Sequence, residues 1–199
     1  NDGSYDFLLE ATKRNAKLRM VRVTSKPDHI PGKKYAMTLG IKAASFGIVL
    51  FTDADCRPAS KEWISSISKE FTEEKKFVIG VSPYSKSAGL LNLFIRFESN
   101  FTAILYSGFA LAGQPYMGVG RNLAYRKEIF LENKGFNRHL STVGGDDDLF
   151  VNEHATKTNT SLSIRPESIT ISQPKNSWTA FFRQKIRPVS YTHLRAHET

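Results

Sequence analysis

Gly47-Ile48-Val49-Leu50-Phe51-Thr52-Asp53-Ala54-Asp55-Cys56 is the stretch that decides the fold. Four consecutive apolar residues, Ile48 to Phe51, read as a buried strand that stops at two carboxylates spaced i, i+2. Alternate side chains of a strand share a face, so Asp53 and Asp55 are expected to point into one site. In open α/β sheets that site is the crevice beyond the carboxyl ends of the strands. Two hard oxygen donors there suit Mg²⁺ or Mn²⁺ holding phosphates. The same spacing also fits a polar strand end that merely carries two aspartates.

Outward from this stretch, helical and strand patterns alternate. Tyr5–Asn15 reads as a helix with Phe7, Leu8 and Ala11 on one side, and Leu18–Thr24 reads as a strand. After Pro31-Gly32, Ala36, Leu39, Ala43 and Ala44 recur at helical spacing. Beyond the Asp53–Asp55 loop, Ser60 is a fitting N-cap for a helix whose buried stripe is Trp63, Ile64, Ile67 and Phe71. Phe77–Val81 is a further short strand. This alternation predicts an α/β fold with a largely parallel sheet.

Leu90–Leu111 crowds apolar residues onto most faces of one helix. Packing across the core explains it. So does docking on a membrane surface or on transmembrane segments outside this sequence.

Composition bounds the rest. The chain of 199 residues fits one domain, and its single cysteine, Cys56, rules out an intrachain disulfide and suits a reducing compartment. No run approaches the length of a transmembrane helix. A formal charge of +9, from 28 Lys and Arg against 19 Asp and Glu, favours an anionic partner. The basic residues are scattered, however, and no nucleic-acid-binding signature is present, so nucleic acid is not expected as a partner. Residues 188–199 show no helical or strand period and are read as a non-native tail. Asn1-Asp2-Gly3-Ser4 has turn chemistry with no strand before it, which suggests that a first strand of the sheet lies outside this sequence.

Gly145-Asp146-Asp147-Asp148-Leu149 is the second strong signal. Three adjacent carboxylates repel one another and call for a cation, a basic partner or solvent. Helix capping accounts for at most one of them. His139 and His154 lack partners at ligand spacing, and Trp63 and Trp178 read as packing residues. Arg121 and Asn122 fit either a strand turning into the site or a contact to substrate.

Six motifs then occur in a telling order: Asn1-Asp2-Gly3-Ser4, Lys33-Lys34-Tyr35-Ala36, Asp53-Ala54-Asp55, Gly118-Val119-Gly120-Arg121-Asn122-Leu123-Ala124-Tyr125, Gly145-Asp146-Asp147-Asp148-Leu149 and Gln184-Lys185-Ile186-Arg187. Over residues 1–187 the chain resembles the family 2 glycosyltransferases of GT-A fold, especially membrane-associated bacterial members. The resemblance implies a Rossmann-like sheet with flanking helices in a single catalytic domain, 1–187. It also implies transfer of a sugar, with inversion, from a nucleotide-diphosphate donor, UDP-sugar favoured, to the hydroxyl of an acceptor glycan or lipid.

By position, Asp2 is implied to bind the base, Lys34 to lie near the phosphates, Asp53 to contact the ribose or a metal-bound water, and Asp55 to ligate Mg²⁺ or Mn²⁺. Asp146 or Asp147 would be the catalytic base. Gln184 and Arg187 match the family's Gln-x-x-Arg-Trp motif, with Pro188 in place of the Trp. The cytoplasmic face of the cell membrane is the implied location of the full-length protein. Alternatives are a haloacid-dehalogenase-like Mg²⁺-dependent phosphatase, which also uses D-x-D after an apolar strand, and a non-catalytic basic module binding nucleic acid or lipid.

Overall fold

The computed structural model describes residues 3–139 and 145–195. Its centre is a four-stranded sheet in the order β1-β4-β3-β5, made of β1 (Ile48–Phe51), β3 (Phe77–Gly80), β4 (Leu123–Arg126) and β5 (Thr160–Ser163). A small antiparallel pair beside it joins β2 (Cys56–Pro58) to β6 (Thr170–Ser172). The helices are α1 (Ser4–Arg14), α2 (Gly32–Ala43), α3 (Trp63–Ser68), α4 (Leu90–Leu111), α5 (Lys127–Glu132), α6 (Asp148–His154) and α7 (Trp178–Arg195).

Strand alternation organises the core. On one sheet face, Val49, Phe77, Ile79, Leu123 and Tyr125 meet Ile41 of α2, Tyr106 of α4, Ile129 and Phe130 of α5, and Phe150 and Val151 of α6. On the other, Val78 and Ala124 pack on Trp63 and Ile67 of α3. Every residue of β3 is buried, as expected of a strand covered on both sides. Each large apolar side chain so enclosed stabilises the fold by about 1.5–3 kcal/mol.

Asn122 locks the start of β4. Its Oδ1 accepts from Trp63 Nε1 at 3.0 Å, and its Nδ2 donates to the carbonyls of Val81 and Ser168, each at 2.8 Å. Gly80 has no side chain because Asn122 occupies that space: a Cβ there would collide with its amide.

The sequence-based expectations are corrected in four places. The sheet is mixed, because β4 runs antiparallel to both β1 and β3 while β3 and β5 are parallel. The long α4 and the loop after it deliver the chain to the opposite end of the sheet, so no strand–helix–strand crossover forces β4 parallel. Leu18–Thr24 forms no ladder, because no described strand lies beside it, and Leu18, Val21 and Val23 are exposed. Helix α1 buries none of its residues, so Phe7 and Leu8 face outward.

Ile64 also faces solvent, while Trp63 and Ile67 hold α3 to the sheet. Ser60 does act at the start of that helix, its hydroxyl accepting from the Glu62 amide at 3.1 Å. At the far end, the backbone of α7 stays helical past Pro188 to Arg195. The helix begun at Trp178 propagates through a stretch that has no apolar period of its own.

Candidate functional site

Beyond the end of β1 the backbone turns at once, the Cys56 amide donating to the Asp53 carbonyl at 3.0 Å. Asp53 and Asp55 therefore sit on a tight turn between β1 and β2, and strand alternation does not set their directions. Asp55 is exposed and Asp53 half-buried. Lys33, at the first turn of α2, reaches Asp53 with its Nζ 3.7 Å from Oδ1. The positive end of a 12-residue helix lies at the same place.

The second acidic motif also comes within electrostatic reach of Lys33. Asp147 is half-buried, and its Oδ2 accepts from the Gly120 amide at 2.5 Å. Burial pushes the Asp147 carboxyl above its ordinary value of 3.8. The Gly120 amide, the amides of Asp147 and Asp148, and the charge of Lys33 oppose that shift. Gly120 is itself required: a Cβ there would stand 2.8 Å from Asp147 Oδ2.

The adjacent Arg121 ties this loop to the β2–β6 pair. Its Nη1 donates to Ser172 Oγ at 3.0 Å and its guanidinium lies over the Tyr84 ring. Ser172 Oγ is also 3.0 Å from Cys56 Sγ and 3.1 Å from Ser82 Oγ. Burial raises the Cys56 thiol, with neighbouring Asp55 and Asp53 adding to the effect. The hydrogen bond with Ser172 and the charge of Arg121 oppose that shift.

Lys33 thus pairs with Asp53, whose turn also carries Asp55, and its charge is felt at Asp147. Asp146 and Lys34 form a different unit: their side chains are 7 % and 1 % exposed and pair at 3.1 Å, with Phe136 beside the ammonium. Lys34 therefore faces the interior and not an open phosphate site. Lys33 is the residue that the motif reading passed over, and helical phase is the signal that identifies it. Lys34, Met37, Ile41 and Ala44 share the inward stripe of α2, which leaves Lys33 outside.

Gln184 is exposed on α7. Arg187 lies on the same helix, with its side chain outside the described part, and Asp2 is outside the described residues. Lys185 pairs with Glu98 of α4 at 2.6 Å, and the two help line a cleft of about 90 Å³ with Arg121 and Tyr84. That cleft links α7 to the site. Asn122 is a structural anchor, and among the described residues His154 belongs to no metal-ligating cluster. Trp63 is buried as expected, while Trp178 stacks on Phe182 and packs on Phe94.

No group of three His, Cys, Asp or Glu side chains is poised to hold a metal among the described residues. Two carboxylates at an open turn still fit Mg²⁺ or Mn²⁺, which commonly binds through one or two carboxylates and completes its shell with phosphates and water.

The sequence profile described as "Glycosyl transferase family 2" matches residues 1–133. The chain belongs to this glycosyltransferase family. This family 2 chain has the GT-A fold. It superposes on the mannosyltransferase PcManGT from Pyrobaculum calidifontis, a structure in complex with GDP-Man and Mn²⁺, with a TM-score of 0.67 at 19 % identity. The superposition covers 94 % of this chain and 48 % of that one, so the family 2 chain spans about half the length of that protein. Comparison with curated proteins gives no match. Membership of this family sets the phosphatase alternative aside.

Proposed function

We propose that this chain transfers a sugar from a nucleoside-diphosphate donor to an acceptor hydroxyl, with inversion at the anomeric carbon. The carrying observation is that Lys33 pairs with Asp53 at 3.7 Å and its charge also acts on Asp147, so that the two acidic motifs share one cation. Family membership and the mannosyltransferase-like fold support the donor class.

In this reading the acceptor oxygen forms a bond to the anomeric carbon as the bond to the diphosphate breaks, and the acceptor proton passes to Asp147. A base needs a pKa nearer the working pH than an ordinary carboxylate, and the raised Asp147 meets that requirement. Asp146, buried against Lys34, serves instead to fix the segment that carries Asp147. Lys33 neutralises charge on the departing diphosphate. When bound at Asp55, Mg²⁺ or Mn²⁺ would supply further charge for the same purpose. Asp2 toward the base, and Gln184 and Arg187 toward pyrophosphate and acceptor, complete the proposal, with the full-length protein at the cytoplasmic membrane face.

The test is release of nucleoside diphosphate from UDP- and GDP-sugars with Mn²⁺ or Mg²⁺, followed with an acceptor panel, for wild type and Asp147→Asn. The proposal expects metal-dependent release by wild type and a kcat lower by about 100- to 10,000-fold in the variant, with donor binding kept. Equal turnover by the variant would remove Asp147 from the role.

A further inference from the structure

Polar side chains alternate where a buried strand would carry apolar ones. In Ser168-Ile169-Thr170-Ile171-Ser172 the three hydroxyl residues are enclosed, Ser172 at 1 % exposure and the other two fully. Buried polar groups are kept where each finds a partner, and two of these hydroxyls meet on Arg121. Thr170 Oγ1 donates to the Arg121 carbonyl at 3.0 Å, and Ser172 Oγ accepts from Arg121 Nη1 at 3.0 Å. With its guanidinium also over the Tyr84 ring, Arg121 is held at both backbone and side chain. A serine hydroxyl has one proton and two lone pairs. At Ser172 the partners Arg121, Cys56 and Ser82 take all three places. Cys56 in turn donates its thiol proton to Asp55 Oδ1, 3.6 Å away. That fixes the other directions: Ser172 gives its own proton to Cys56 Sγ and accepts from Ser82.

We propose that Ser172 is a positioning residue, aiming the Asp55 carboxylate through Cys56 from the fixed point of Arg121. The inference rests on the metal-binding role given above to Asp55. Arg121 follows Gly120, whose amide holds Asp147, so the same line of bonds sets Asp55 against the loop that holds the base. Asp55 is exposed on a turn, where no strand alternation directs it, and a bond to its own neighbour supplies the direction. The fold itself does not need the Ser172 hydroxyl. The Ser172 amide donates to the Pro83 carbonyl at 3.0 Å, its carbonyl accepts from the Ser85 amide at 2.9 Å, and the residue lies opposite Cys56 in the β2–β6 pair. Ser172→Ala keeps these backbone bonds and removes only the side-chain link.

The experiment is calorimetric titration of UDP and of GDP, with and without Mn²⁺, on wild type, Ser172→Ala, Cys56→Ala and Cys56→Ser. Urea unfolding of the same proteins and of the double variant Ser172→Ala, Cys56→Ala accompanies it. The inference expects the Mn²⁺-dependent gain in nucleotide affinity to fall by about 3- to 10-fold in Ser172→Ala and in Cys56→Ala, the effect of one lost hydrogen bond. Affinity without Mn²⁺ stays at the wild-type level, and Cys56→Ser, which keeps a donor and an acceptor, recovers most of the gain. A purely structural Ser172 would lower stability and leave the Mn²⁺-dependent gain intact, which would overturn the inference. Unfolding tests the link without metal or nucleotide: the double variant should lose less than the sum of the single losses, because both substitutions remove the same bond. Additive losses would overturn the inference as well. Coupled losses in a protein whose wild type binds neither nucleotide with Mn²⁺ would uphold the link from Ser172 to Cys56 and refute the proposed donor site.

Discussion

A helix turns about 100° per residue, which is enough to give Lys33 and Lys34 different chemistry. Lys34 is enclosed with Asp146, whereas Lys33 is exposed, pairs with Asp53 and acts through its charge on Asp147. Removing one member of a buried pair strands the other charge, so Lys34→Met is expected to destabilise the protein by about 3–5 kcal/mol in urea unfolding. Lys34→Met with Asp146→Leu should recover most of that loss, because no charge is then left unpaired. Lys33→Met should leave stability nearly unchanged and weaken nucleotide binding instead.

Asp147 makes a separate prediction through pH. A carboxyl raised by folding stabilises the protein while protonated, and that contribution is lost as pH rises through its folded value. Asp147→Asn is therefore expected to melt higher than wild type at neutral pH, with the difference vanishing below the ordinary carboxylate range. The acid limb of wild-type kcat against pH should lie above 3.8, the ordinary value.

At the scale of elements, one side chain ties the start of the central strand β4 to α3 and to the segments after β3 and before β6. Asn122 satisfies Trp63 Nε1 and two carbonyls, and its own amide and carbonyl bond to Val119 and Gly80. Asn122→Ala is expected to cost more than about 2 kcal/mol in urea unfolding, because three buried groups lose their partner together.

The apolar run of β1, the helix over Leu90–Leu111 and the strand at Phe77 were legible because their periods are strong. What the sequence hid was phase and partnership. Ala36, Leu39, Ala43 and Ala44 suggested an inward stripe for α2, but the packed side is Lys34, Met37, Ile41 and Ala44, so a lysine implied by motif position is the one the helix turns inward. Leu18–Thr24 has strand composition and no ladder, since a strand exists only through a neighbour that local sequence cannot supply. Asp53 and Asp55 were found, but by a strand argument, whereas a turn presents them.

For the whole molecule, folding brings two distant acidic motifs, through Asp53 and Asp147, under the influence of one exposed cation, Lys33. The sequence alone named the aspartates and the order of motifs. It could not show that Gly120 closes on Asp147 or that Arg121 braces Ser172, because those contacts join segments 27 and 51 residues apart. Calorimetric titration of UDP and of GDP, with and without Mn²⁺, on wild type, Lys33→Met and Asp55→Ala tests the central claim most directly. Metal-dependent binding by wild type, lost in Asp55→Ala and weakened in Lys33→Met, is the predicted result. Folded wild type that binds neither nucleotide with Mn²⁺, or binding that both variants retain in full, would contradict a donor site built around Lys33.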